Sequence, residues 1–220
     1  MNLKHGLPLA GVAILALLAG MFVNQSIINP EPSLDKQAPI SALVYPTPRQ
    51  LTGFELTDQH GQRFTPESLK GKWSLLFAGY TSCPDVCPTT LIQLKSAHKQ
   101  LAMGDDLQVV LVSVDPKRDH QQKLKQYIDY FNPSFSAIRG DHPQLYPLTQ
   151  QLGLVYSMSG DDPDNYLVDH SAAVALINPQ GQLAALLKPK PQQPGKIAMV
   201  RGDDVAQDVA LIISGRAANL

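Results

Sequence analysis

A short apolar run, Trp73-Ser-Leu-Leu-Phe-Ala78, ends in Gly79 and leads directly into Tyr80-Thr-Ser-Cys83-Pro-Asp-Val-Cys87-Pro-Thr-Thr-Leu91. The run has the length and uniform apolarity of a strand buried on both faces. Pro88 suits the first turn of a helix. Leu91, Leu94, Ala97, His98 and Leu101 then repeat on one face, so the spacing predicts a helix from Pro88 to about Met103. A buried strand that hands the chain's two cysteines to a helix start leaves few folds open.

The rest of the pattern narrows them further. Phe54–Thr57 and Arg63-Phe64 flank the turn Asp58-Gln-His60-Gly61 as a hairpin. Leu107–Val114 reads as a second buried strand and Asp119–Phe131 as a helix, with Leu124, Tyr127, Ile128 and Phe131 in period. Phe135–Ile138 reads as a short strand and Pro143–Leu152 as a short helix. Tyr166–Val168 and Ala172–Ile177 follow, and the turn Asn178-Pro-Gln-Gly181 joins the latter to Gln182–Leu187 as a hairpin. A last helix is expected from near Pro194, carrying Val205, Val209, Ile212 and Ile213. The fold class is α/β, a mixed central sheet flanked by helices. A dithiol at the start of the first helix is the thioredoxin-like layout.

At 220 residues the chain supports one well-buried domain with a remainder. Its formal net charge of −1 and lack of any basic stripe argue against a nucleic-acid partner. The remainder is the amino terminus. After Lys4 and His5, residues from Gly6 to Val23, extending toward Ile28, carry no charge. Roughly 17 to 22 helical residues cover most of a hydrocarbon core about 30 Å thick. The end of the run is a poor signal-cleavage site, so residues 1–28 read as an uncleaved signal anchor. Lys4 before the span and Glu31 after it keep the amino terminus in the cytoplasm. The rest then faces the periplasm from the inner membrane. Residues 29–48, with Pro30, Pro32, Pro39, Pro46 and Pro48, read as a proline-rich tether. A tether of about 20 residues reaches roughly 25 Å if flexible and 60 Å if extended. The domain proper is then 49–220.

Two cysteines four positions apart admit three roles. As a staple, a Cys83–Cys87 disulfide closes almost no loop and stabilises little. As an electron shuttle, a thiol at a helix start is acidified by free N–H groups and the helix dipole, although Asp85 adds opposing negative charge. As a metal site, two thiolates one helical turn apart hold a soft cation, which Asp85 favours. Thiolates with an imidazole suit copper or zinc. Zinc prefers a fourth ligand, and the chain has no third cysteine.

The candidate imidazoles are His60, His98, His120, His142 and His170, since His5 lies before the span. In a thioredoxin-like fold the loop before the strand at Ala172 lies beside the dithiol, which makes His170 the best of the five. Asp115, Pro116, Arg118 and Asp119 read as a turn and helix cap. Tyr80 and Tyr166 read as core packing, and Met158 and Met199 as filler.

The segments GYTSCPDVCPTTL, VSVDPKRD and YLVDHSAAVALINPQG, taken together and in order, resemble the SCO/SenC family of copper-handling proteins. The likeness runs from about Leu51 to Leu187. It implies a thioredoxin-like domain on one amino-terminal span, with a copper ion, Cu(I) or Cu(II), held by Cys83, Cys87 and His170. It also implies a role in delivering copper to the dinuclear CuA site in subunit II of cytochrome c oxidase, with a copper donor and a thiol reductant as further partners. Some members of the family act instead as thiol–disulfide reductases on that site, using a dithiol that here would be Cys83 and Cys87. A copper-linked redox sensor would share the same residues. Asp119-His120-Gln121 departs from the family's usual Asp-Thr-Pro, and Lys188-Pro-Lys-Pro-Gln-Gln-Pro194 is unusually proline-rich.

The anchor expectation has a direct check. Mass spectrometry of membrane-extracted protein should recover the peptide containing Lys4. A mature chain starting between Gly20 and Ser26 overturns it.

Overall fold

The computed structural model describes residues 36–160, 166–190 and 198–217. The anchor expected at 1–28 and residues 29–35 of the expected tether lie outside them. Among the described residues, no helix is long and apolar enough to cross a membrane.

The described residues from 37 onward form one compact unit. Among the described residues its ten strands are β1 (Ala42–Gln50), β2 (Leu56–Asp58), β3 (Arg63–Phe64), β4 (Trp73–Gly79), β5 (Leu107–Ser113), β6 (Ser136–Arg139), β7 (Tyr156–Ser159), β8 (Leu167–His170), β9 (Val174–Ile177) and β10 (Gln182–Leu187). Its α-helices, among the same residues, are α1 (Val86–Leu101), α2 (Gln121–Phe131), α3 (His142–Leu152) and α4 (Gly202–Ile213). Eight strands make the main sheet, in the order β1-β10-β9-β4-β5-β6-β2-β3. The β4, β5 and β6 strands run parallel at its centre and the flanking pairs are antiparallel. This is the mixed α/β plan expected from the sequence.

Alternation along the central strands feeds two cores. Leu75 and Phe77 of β4 join Val109 and Leu111 of β5 on one face, under Leu91 and Leu94 of α1, Leu124 and Ile128 of α2, and Val205 and Val209 of α4. Leu76, Ala78, Val110 and Val112 point the other way, onto Leu145, Leu148 and Leu152 of α3. Burial on both faces is why β4 and β5 read as continuous apolar runs.

Two departures have plain causes. Residues 42–48, assigned above to the tether, are part of β1, which pairs antiparallel with β10. The register of that pairing breaks between Val44 and Arg49, the stretch containing Pro46 and Pro48. As an edge strand, β1 loses no ladder bond to the missing proline N–H groups there. The second departure is a separate two-stranded ribbon of β7 and β8, in which Tyr156 stands opposite His170 and Met158 opposite Val168. It extends the strand expected at Tyr166–Val168 to His170. Of the last helix, Val205 and Val209 are buried as expected, whereas Ile213 is exposed and Leu211 takes the inward place.

The start of β1 is fastened by one carboxylate. Asp208 of α4 is fully buried and accepts from the backbone N–H groups of Ile40 (2.6 Å), Ser41 (2.7 Å) and Ala42 (2.8 Å), and from Ser41 Oγ (2.8 Å). Asp208→Ala strands those donors and should cost about 3 kcal/mol. Calorimetry should then show Tm lower by roughly 6–12 °C, with Asp208→Asn less affected. A Tm unchanged in the alanine variant would show that the clamp contributes little.

Candidate metal and dithiol site

Cys87 is the second residue of α1 and is buried, while Cys83 precedes the helix in the loop from β4 and is partly exposed. The helix N-cap is Asp85, whose side chain makes no capping bond. The Cys83 sulfur takes up that work: the Cys87 backbone N–H, one of the unpaired donors of the first turn, points at Cys83 Sγ at 3.4 Å. The helix begins two residues earlier than its periodicity implied, so Pro88 falls inside the first turn, where its missing N–H costs nothing.

His170 closes the group from the end of β8. Its Nε2 lies 3.2 Å from Cys87 Sγ, and the potential donor atoms of Cys83, Cys87 and His170 all lie within 4.8 Å of one another. The other ring nitrogen, Nδ1, is 3.1 Å from the Ser171 carbonyl oxygen. A carbonyl only accepts, so Nδ1 carries the proton and the Nε2 lone pair faces the sulfurs.

The two thiols divide their protonation. Hydrogen bonding from the Cys87 thiol, assisted by the backbone N–H groups of Cys87 and Asp85, holds Cys83 down to about 3 against the opposing effect of burial. Cys87, donating to Cys83 and more deeply buried, is pushed up and keeps its proton. The negative charge expected of Asp85 does not prevent this: its carboxylate is solvent-exposed, and its backbone N–H helps the Cys83 thiolate. One proton on Cys87 therefore faces two acceptors, the Cys83 sulfur and the His170 imidazole. A soft cation taking that proton's place would meet three good donors.

Four residues shape this geometry, and none of them was read as part of the site. Gly79 is one: a Cβ there would sit 3.0 Å from Cys87 Sγ and 2.9 Å from Leu111 Cδ1. Tyr80 is the second, its backbone N–H pointing at Cys87 Sγ at 3.5 Å and its ring meeting His170 edge-on at 6.0 Å. Asp115 and Asp119, expected to shape a turn and cap, do more. Asp119 does not cap α2, since His120 does so through Nδ1 and the Lys123 N–H. Asp119 instead accepts from Thr81 N (3.0 Å), Thr81 Oγ1 (2.5 Å) and Ser113 Oγ (2.7 Å), pinning the loop before Cys83. Asp115 accepts from the Tyr166 hydroxyl at 2.5 Å, just ahead of β8.

The remaining candidate histidines lie elsewhere. His98 meets the Leu107 carbonyl and the Phe135 ring, His142 stacks on Tyr156, His120 caps α2, and His60 is exposed in the β2–β3 turn. Among the described residues, no other His, Cys, Asp or Glu joins the cluster. Met158 is exposed on β7 and outside it.

With this geometry in view, the similarities are specific. A profile of the SCO1/SenC family matches residues 46–202. An SCO2-like protein of Rickettsia felis is 35% identical over 183 residues, covering 78% of this chain and 85% of that protein. Bradyrhizobium japonicum ScoI with copper bound is 30% identical with a TM-score of 0.59, over 73% of this chain and 98% of that one. Yeast Sco1 with copper bound is 30% identical with a TM-score of 0.61, over 75% of this chain and 90% of that one. The thioredoxin-like domain with its Cys83, Cys87 and His170 cluster thus belongs to a member of the SCO1/SenC family.

Proposed function

We propose that this protein is a copper metallochaperone, anchored in the inner membrane by residues 1–28, that carries copper to the CuA site of cytochrome c oxidase subunit II during assembly. The observation that carries the reading is the convergence of two sulfurs and an imidazole lone pair within 4.8 Å, in a chain similar to ScoI and Sco1 proteins that hold copper. Copper is the cargo. Two thiolates satisfy Cu(I), and an added imidazole lets the same pocket accept Cu(II). Zinc would call for a fourth protein ligand in a closed site. A donor of copper and a reductant for the dithiol are the partners such a cycle needs.

Copper and a disulfide compete for the same sulfurs, because binding requires thiolates. Reduced protein should load one Cu(I) per chain in an anaerobic titration, and oxidised protein should load almost none until a dithiol reductant is added. Cys83→Ser or Cys87→Ser should abolish tight loading. His170→Ala should keep Cu(I) and weaken Cu(II) by at least about 100-fold, since losing a ligand costs more than losing one of the partners that orient it. Equal loading of oxidised and reduced protein overturns the reading.

One observation favours a second reading, a membrane-tethered thiol–disulfide reductase. The accessible Cys83 is the thiolate, and the buried Cys87 behind it keeps a proton, an attacking and resolving pair. Thiolate reactivity is lost only as pH falls through the folded pKa, here about 3. Alkylation of metal-free protein should therefore modify Cys83 at nearly constant rate from pH 8 to 5, where an ordinary thiol slows about tenfold per unit. Mass mapping should find Cys87 spared. A tenfold-per-unit decline at Cys83 would remove the basis for this reading.

A further inference from the structure

We propose that Arg118 is the positioning residue for His170: it holds the imidazole over the dithiol and thereby sets how tightly the site grips Cu(II). The metal part of this inference rests on the copper reading above. Arg118 sits in the turn between β5 and α2, and its Nε donates to the wholly buried Asp115 carboxylate. Its Nη1 donates to the Tyr166 carbonyl oxygen at 2.9 Å. The guanidinium carbon lies 3.9 Å from the centre of the Tyr166 ring and 5.5 Å from that of Tyr80. The cation is thus held between a tyrosine from the dithiol loop and a tyrosine that leads into the strand of His170.

The need for such a wedge follows from the topology. The β8 strand pairs with β7 alone and makes no ladder bonds to the main sheet. Its place over the cysteines must be fixed by other contacts: Val168 packs into the core, Ser171 bonds Val155 beyond its end, and a polar group gathers at its start. The Tyr166 carbonyl goes to Arg118, the Tyr166 hydroxyl goes to Asp115, and the Val168 backbone meets the Tyr80 phenol. Arg118 takes part directly in the first, neutralises the acceptor of the second and lies over the ring of the third. Lysine could supply the charge but not the flat fork that bonds two groups while lying against two rings. Among the described residues, Arg118 Nη2 is buried without a hydrogen-bond partner.

The test compares wild type, Arg118→Met, Arg118→Lys, His170→Ala and the Arg118→Met/His170→Ala double variant. In metal-free protein, hydrogen exchange at the Val168 and His170 amides should rise at least tenfold in Arg118→Met, with β4 and β5 amides unchanged. In Cu(II)-loaded protein, the thiolate-to-copper absorption band should shift, and Cu(II) affinity should fall by about 10- to 100-fold. Cu(I) affinity should move less than threefold, and Arg118→Lys should fall between. Arg118→Met should add less than threefold to the Cu(II) loss of His170→Ala, because a residue acting through His170 has nothing left to act on. Unchanged Cu(II) spectrum and affinity in a folded Arg118→Met protein, or full additivity with His170→Ala, overturns the proposal. If Arg118→Met fails to fold, Arg118→Lys decides by the same measurements. Wild type that binds no copper while Arg118→Met still loosens β8 would sink the copper reading and leave the ribbon-positioning role standing.

Discussion

A buried carboxylate must be hydrogen-bonded or it destabilises the fold, and Asp119 meets that requirement with groups that would otherwise drift apart. Its ammonium neighbour, Lys123, stands off at 3.8 Å, so the carboxylate depends on Thr81 and Ser113. Satisfying it draws the loop after β4 against the end of β5. That fixes the path into Cys83 and brings its sulfur onto the free N–H groups of α1. Without this constraint the loop that leads to Cys83 would lose its side-chain tie to the end of β5.

Much of the fold was legible because β4 and β5 are buried on both faces and so are apolar at every position. The β9–β10 hairpin was legible from Asn178, whose side chain bonds the turn it sits in. The first strand was not, since Pro46 and Pro48 carry the signature of a tether and become compatible with a strand only at a sheet edge with a broken register. Nor was β7, where Tyr156 is half-buried and the next three residues are exposed, leaving no alternation to detect.

The site divides along similar lines. Cys83 and Cys87 announce themselves by spacing, and His170 by its place ahead of β9. What tunes them is invisible in one dimension. The Ser171 carbonyl that sets the imidazole tautomer, the Tyr80 N–H aimed at Cys87, and the bare Cα of Gly79 are generic backbone until the fold places them. The VSVDPKRD segment was read as a local turn because side-chain carboxylates so often bond nearby backbone. Here both aspartates have partners across the fold, at Thr81 and Tyr166.

The separateness of the β7–β8 ribbon gives the cluster unequal stiffness. The two sulfurs sit on a helix start backed by the main sheet, whereas the imidazole rides on two short strands with no ladder bonds to that sheet. On the copper reading, displacing the ribbon would take the number of donors from three to two while both sulfurs stay on the helix start. Such a step favours the oxidation state content with two soft ligands and disfavours the one that needs nitrogen. If the protein carries copper as proposed, an arm attached in this way would let the grip on the metal be eased with no rearrangement of the core.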